Sequence, residues 1–308
     1  MSYQLKKMKL ELRVNWKISR NESLFKDNFI LTYNGFESEV APNIRYGETV
    51  ERIEKEFQEL LVKPGVVQST WCNSFQNAVN NVFLKEQANG DIYSFLKLKK
   101  LQKVKTSFSI PMMEVGEIEK YLAANKQFQI YKLKISGLKD FPLLDEVCKN
   151  TTSSIRIDAN EGFSSLEEYL KFEKLIENLN IEFIEQPFKS SMEEDYRKLK
   201  SISKFPIIAD ESIEDDFDGE LFALMFHGIN VKLMKAGGIH YGLRLIKKGR
   251  AYGLKTMIGC MIESSLGISE AYTLASLCDY CDLDGALLTS NDPYRDLFDL
   301  EDGYLKLK

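Results

Sequence analysis

Between Tyr131 and Asp284 the chain repeats one unit: a short apolar run ending in charge, then an amphipathic stretch at helical spacing. The runs are YKLKIS, IRIDAN, IEFIEQP, PIIADES, INVKL, KTMIGCMIE and CDLDG, and KTSFSI (105–110) adds an eighth in front of them. Each run reads as a buried strand, and the alternation with helices reads as β/α units on a parallel sheet. The charges gather at the C-terminal ends of the strands: Lys132 and Lys134, Asp158, Glu185, Asp210, Lys232, then Asp282 and Asp284. A parallel β/α barrel carries its active site at that end, so these residues should converge on one mouth.

Residues 1–104 have a different texture. KLELRVNW alternates as a strand, and NFILTYNGFESEV reads as two strands joined at Tyr33-Asn34-Gly35; helical stretches follow near 49–61 and 74–83. Strands followed by helices indicate an α+β domain in front of a barrel spanning 105–289, with the tail 290–308 folding back onto the first domain. The polar segments SRNESLFKD and APNIRYGET are candidate loops over the mouth, with ordinary surface loop as the alternative. A chain of 308 residues accommodates this pair of domains.

The formal net charge of −5 offers no broad basic surface, which argues against nucleic acid or anionic lipid as partner. No apolar run approaches the ~20 residues of a membrane span. The start MSYQLKKMKLELRV has no secretory apolar region, so the expected compartment is the cytoplasm. Five cysteines show no paired metal spacing; Cys278 and Cys281 form a lone C-x-x-C and read as reduced core thiols. His227 and His240, the two histidines, cannot build a histidine metal cage.

Three carboxylates at nearly equal pitch, Asp158, Glu185 and Asp210, one per successive strand end, suit a hard divalent cation such as magnesium. Any one of them alone reads as a solvated acidic strand end; three in register do not. Lys132 and Lys134 are two apart on one strand and point to the same face, into the barrel. Lys232 lies on the far side. Lys235, three further on, is set aside because it falls in the Ala236-Gly237-Gly238 turn. A lysine on each face of one carbon is the geometry for removing a proton on one side and returning it on the other, and cationic crowding lets one lysine start neutral.

The motifs K-L-K, R-I-D-A-N, I-E-Q-P, A-D-E-S and V-K-L-M-K-A-G-G, in this order and pitch, resemble the enolase superfamily, muconate-lactonizing subgroup. That resemblance implies a (β/α)7β TIM-like barrel, an α+β capping domain and one Mg2+ per subunit. It implies Asp158, Glu185 and Asp210 as metal ligands, Lys134 and Lys232 as acid/base pair, Lys132 as the group orienting the substrate carboxylate, and Asn160 in support of Asp158. Asp282-Leu283-Asp284 puts two carboxylates on one face, which makes sense beside a carboxylate site only if the substrate also carries a cation. A dipeptide does, and D-x-D at this place is similar to dipeptide epimerases, as are T-S-F-S-I, R-Y-G-E-T and C-M-I-E-S with its Glu263. An acidic turn capping the strand is the alternative for D-x-D taken alone.

The function implied is a Mg-dependent dipeptide epimerase inverting the C-terminal residue's α-carbon, with L-Ala-D/L-Glu as first substrate. o-Succinylbenzoate synthase or N-acylamino acid racemase activity is the alternative. Arg20 and Arg45, in the candidate capping loops, are placed to meet an acidic side chain or are surface arginines. Family members commonly form homo-oligomers. The family's glycine-rich capping strand reads here as GFESEV, with Glu37 and Ser38 between Gly35 and Glu39.

Overall fold

The computed structural model describes residues 2–18, 21–111 and 113–308. The N-terminal part is an antiparallel sheet of β1 (Tyr3–Ile18), β2 (Asn21–Tyr33) and β3 (Phe36–Val40), backed by α1 (Val50–Val62) and α2 (Asn73–Gln87), with α3 (Ile92–Leu96) leading out. Asn34 and Gly35 carry φ of 48° and 86°, the left-handed pair a two-residue hairpin turn requires, at the place the sequence puts it. Phe29, Leu31, Tyr33 and Val40 of the sheet meet Ile53 and Leu60 of α1 and Phe75, Val79 and Val82 of α2 in a core of their own.

One expectation fails here. SRNESLFKD was expected to be a loop, yet residues 21–27 continue β2, pairing with β1 across a register shift between Glu11 and Trp16. SRNESLFKD lacks apolar alternation, and the cross-strand pairing that makes residues 21–27 a strand is not local, so the sequence looks like loop.

After β4 (Val104–Lys105) the chain winds regularly: β5 (Phe108–Ile110), α4 (Ile118–Ala124), β6 (Ile130–Lys134), α5 (Phe141–Asn150), β7 (Ser154–Asp158), α6 (Leu166–Ile176), β8 (Ile181–Glu185), α7 (Glu193–Ile202), β9 (Ile207–Ala209) and α8 (Gly219–Met225). It continues through β10 (Gly228–Lys232), the single turn α9 (Leu233–Ala236), α10 (Ile239–Ala251), β11 (Lys255–Gly259), α11 (Ser265–Tyr272) and β12 (Tyr280–Asp282). β5 to β12 are hydrogen-bonded in sequence order, every pair parallel. The first and last strands meet through Ser107 N on Cys281 O (3.4 Å) and Leu283 N on Thr106 Oγ1 (2.8 Å). This is the (β/α)7β barrel of the sequence reading.

Alternation along the strands sets the barrel interior in layers. Phe183, Ile208 and Met257 pack with Tyr280 as a lower plug, and the Arg156 guanidinium lies over the Phe183 and Tyr280 rings at 5.1 and 5.4 Å. The next inward residues are Asp158, Glu185, Asp210 and Asp282, two positions further along their strands and held above that plug.

The tail forms β13 (Phe298–Glu301) and β14 (Tyr304–Leu307); β14 pairs with β4, and Ser290 and Asn291 bond the β1 backbone at Glu11 and Lys9. Cap and barrel are joined by buried polar groups. Asn80 donates to Gly237 O (2.8 Å), Asn81 Oδ1 accepts from Ile239 N (2.9 Å) at the start of α10, and Lys85 pairs with Glu270 (2.6 Å). Glu39 is fully buried at the start of α11, accepting from Ser264 N, Gly267 N and Asn28 Nδ2.

Burial pushes Glu39 up to about 7, above its ordinary 4.5, while Ser264 and Asn28 pull the other way. The folded chain therefore holds a proton there that the unfolded chain releases between those two values. That contribution is complete at the acid end and is lost as pH rises through about 7. Urea unfolding of wild type and Glu39→Gln across pH 5–8 should show the wild type losing ground to the variant as pH climbs; a constant difference would refute the assignment.

Candidate active site

Strand register brings the charged residues level. Lys134 pairs with Asp158 and Asp158 with Glu185 across β6–β7–β8, while Lys232, Gly259 and Asp282 are level across β10–β11–β12. Asp158, Glu185 and Asp210 are buried and each offers an oxygen, all within 4.8 Å of one another. Three hard oxygen donors at that spacing fit a magnesium ion, with room left for water or a substrate oxygen. Asn160 Nδ2 donates to Asp158 Oδ1 at 2.8 Å, and Asn230 Nδ2 to Glu185 Oε1 at 2.7 Å, so each carboxylate is aimed by an amide.

Lysines surround this cluster. Lys132 Nζ lies 2.7 Å from Glu185, 2.9 Å from Asp282 and 3.1 Å from Asp158. Lys134 reaches Asp158 at 3.0 Å, and Lys232 reaches Asp210 at 2.6 Å from the opposite wall. Burial alone would push Lys132 down, but Asp158, Asp282 and Glu185 hold it well above the ordinary lysine value. Burial likewise opposes Lys232, yet Asp210 holds it high. Asp158 and Asp210 resist burial in the same way: Lys132 and Lys134 keep the first below its usual range, Lys232 and Lys235 the second. Glu185, with less help, is pushed by burial up to about 8.

Two neighbours were missed from sequence. Lys235, set aside as a turn residue, is buried and donates to Asp210 Oδ1 and O, both at 2.6 Å. The strand ends at Lys232 and α9 begins at once, so a three-residue step swings the side chain back towards the mouth. Glu211, beside Asp210, is raised to about 7 by burial and by Asp210, and it pairs with Arg45 of the cap at 2.8 Å. The E of A-D-E-S carried the only signal for it.

A cavity of about 600 Å³ opens over the cluster. Lys132, Lys134, Asn160, Asp210, Lys232, Asp282 and Asp284 line its barrel side and Ile44, Arg45 and Tyr46 its cap side. Asp158 and Glu185 lie beneath. Asp282 accepts from Ser107 Oγ (2.5 Å) and Asp284 from Ser109 N (2.6 Å), both on the first strand. Burial and the neighbouring Asp282 push Asp284 up to about 7; Asp282 overcomes burial through Lys132 and Ser107 and stays low.

Glu263, expected to touch substrate, is not among the lining residues. Its Oε1 accepts from Met261 N at 2.7 Å, and its other oxygen lies beside Glu39 in the space a Cβ on Gly267 would need. Burial and Glu39 raise it far above the usual carboxylate range. Arg20 lies outside the described residues.

Gly259 is required by this packing: a Cβ there would sit 2.3 Å from Asn230 Oδ1, the amide that aims Glu185. Gly259→Ala is expected to weaken magnesium activation roughly 10–100-fold with the circular dichroism spectrum unchanged. Magnesium titration of activity checks this.

The chain matches the family described as Enolase C-terminal domain-like over residues 115–308. It is 34% identical to an L-Ala-D/L-amino acid epimerase of Maribacter sp., across 95% of this chain and 92% of that one. A protein of the same description from Pedosphaera parvula is 37% identical over 83% of this chain and 79% of its own length. Among solved structures, the Methylococcus capsulatus dipeptide epimerase with Mg and L-Arg-D-Lys superposes with a TM-score of 0.88 at 25% identity, covering 100% of this chain and 96% of the other. An Agrobacterium tumefaciens enolase family member shares the fold at 24% identity, with a TM-score of 0.88 over 99% and 97% of the two chains.

Proposed function

The chain belongs to the enolase C-terminal domain-like family, and on that premise we propose a magnesium-dependent dipeptide epimerase that inverts the α-carbon of the C-terminal residue by 1,1-proton transfer. One observation carries the reading: Lys134 and Lys232 approach a single carboxylate cluster from opposite walls of the barrel. Binding alone needs no base on both faces of a carbon; inversion does.

Asp158, Glu185 and Asp210 would hold the magnesium ion, which when bound would draw charge from the substrate carboxylate and so acidify the α-hydrogen. Lys132 holds the same carboxylate in place. The lysine facing the α-hydrogen takes it as a free amine, and the lysine opposite delivers a proton as an ammonium, so the carbon changes hand. Asp210 accepts from Lys232 Nζ at 2.6 Å and fixes the position of that lysine on its wall. Asp282 and Asp284 receive the substrate's α-ammonium.

The relatives described as L-Ala-D/L-amino acid epimerases support this substrate class. Among the described residues no helix is long and apolar enough to cross a membrane. Cytoplasmic residence, a homo-oligomer and the division of domains at 104/105 belong to the same proposal and rest on the sequence reading.

A library of L,L-dipeptides incubated with enzyme and magnesium in D2O, read by mass spectrometry, tests it. One deuterium should enter at the C-terminal residue. Silence across the library with N-succinyl amino acids or the o-succinylbenzoate precursor turned over instead would move the assignment to those chemistries.

A further inference from the structure

Resting on that reading, we propose that the inverted residue is uncharged and apolar: the enzyme acts on dipeptides ending in an aliphatic or aromatic residue and discriminates against acidic and basic ones. With the ammonium at Asp282 and Asp284 and the carboxylate at the metal cluster, the lining left for the side chain of that residue includes Phe25, Lys26 and Ile44–Tyr46 of the cap and Met261 and Ile262 of the barrel. Ile44 lines the cavity and is 70% exposed, a large aliphatic group left facing water at the mouth of a binding site. Met261 and Ile262 add apolar wall from the barrel, and Asn43 Nδ2 rests on Met261 Sδ at 3.7 Å, joining the two sides. An apolar side chain covers Ile44; a charged one leaves it wet and is itself desolvated.

Among the described residues, the cap arginine on this wall is already matched. Arg45 spends one guanidinium nitrogen on Glu161 (2.6 Å) and another on Glu211 (2.8 Å). To meet a substrate carboxylate it would have to abandon Glu211, whose carboxyl is buried, and the incoming acid would lie beside both glutamates. A basic side chain meets the mirror problem, since both glutamates are held by Arg45. Among the described residues, Lys26 is the remaining cation on this wall. Its ammonium donates to the Pro42 carbonyl, and among the described residues it has no ion-pair partner. It is the residue an acid-specific enzyme would use, so the experiment must include it.

The full chain with magnesium is assayed on L-Ala-L-Leu, L-Ala-L-Met, L-Ala-L-Glu and L-Ala-L-Lys, with epimer formation followed by proton NMR. The Leu and Met dipeptides should exceed the Glu and Lys dipeptides in kcat/KM by about tenfold or more. Ile44→Arg, at an exposed position where folding is unaffected, should lower the Leu dipeptide about tenfold and raise the Glu dipeptide. Lys26→Met should leave the ranking unchanged. A wild type that prefers Glu or Lys, an Ile44→Arg variant with unaltered ratios, or a Lys26→Met variant that loses the Glu dipeptide selectively each overturns this proposal while the epimerase reading stands. Turnover of none of the four, with N-acylated amino acids accepted, sinks the dipeptide reading and this proposal with it.

Discussion

Lys232→Ala should abolish epimerisation while sparing one half of it. Removing a positioned acid/base costs roughly 10²–10⁴-fold, and inversion needs both lysines, so product formation should fall by the larger figure in Lys232→Ala and in Lys134→Ala alike. Isotope exchange behaves differently. In Lys232→Ala, Lys134 still faces one side of the α-carbon and can remove, scramble and return the proton on that side. The diastereomer whose hydrogen points at Lys134 should therefore lose its label to solvent, and its epimer should not; Lys134→Ala should show the opposite pattern. The variant should fold, because Asp210 keeps Lys235 at 2.6 Å after Lys232 is gone. Supplying the L,L and L,D forms separately in D2O to each variant decides the matter. Exchange of the same diastereomer by both variants would mean the lysines do not address opposite faces.

Asp158, Glu185 and Asp210 were legible because a parallel barrel buries its strands on both faces and exposes only their C-terminal ends, so a charge closing an apolar run has one place to go. Lys132 and Lys134 followed from the two-residue period of a strand. Lys235 did not, because α9 starts immediately after Lys232 and the strand period no longer applies. Arg45 was visible as a loop arginine, but its partners lie 116 and 166 residues away, after β7 and β9, and nothing local announces them. The outer half of the β1–β2 ribbon carried no alternating pattern to read. Glu263 was named from its motif, and nothing in C-M-I-E-S announces that its carboxylate takes up the Met261 amide.

Asp284→Asn should cost dipeptides about 100- to 1,000-fold in kcat/KM, the loss expected when one partner of a buried charge pair is removed. Asn keeps the shape and can still accept from Ser109 N, so the deficit reports charge. Substrates without a free ammonium should be indifferent to the change, and N-acetyl-dipeptides provide that control. Asp284 also predicts a pH limb. Its folded pKa, raised to about 7 by burial and Asp282, means the free enzyme binds a proton there as pH falls below that value. A neutral carboxyl attracts an ammonium far less than a carboxylate does, so kcat/KM should fall with pH below about 7. The limb should shrink in Asp284→Asn to what Glu185, raised to about 8, and Glu211, raised to about 7, contribute. Asp282 cannot supply it, because Lys132 at 2.9 Å holds that carboxyl ionised through the same range. A limb unchanged in depth and position in Asp284→Asn would place the titrating group elsewhere and separate the D-x-D pair from ammonium recognition.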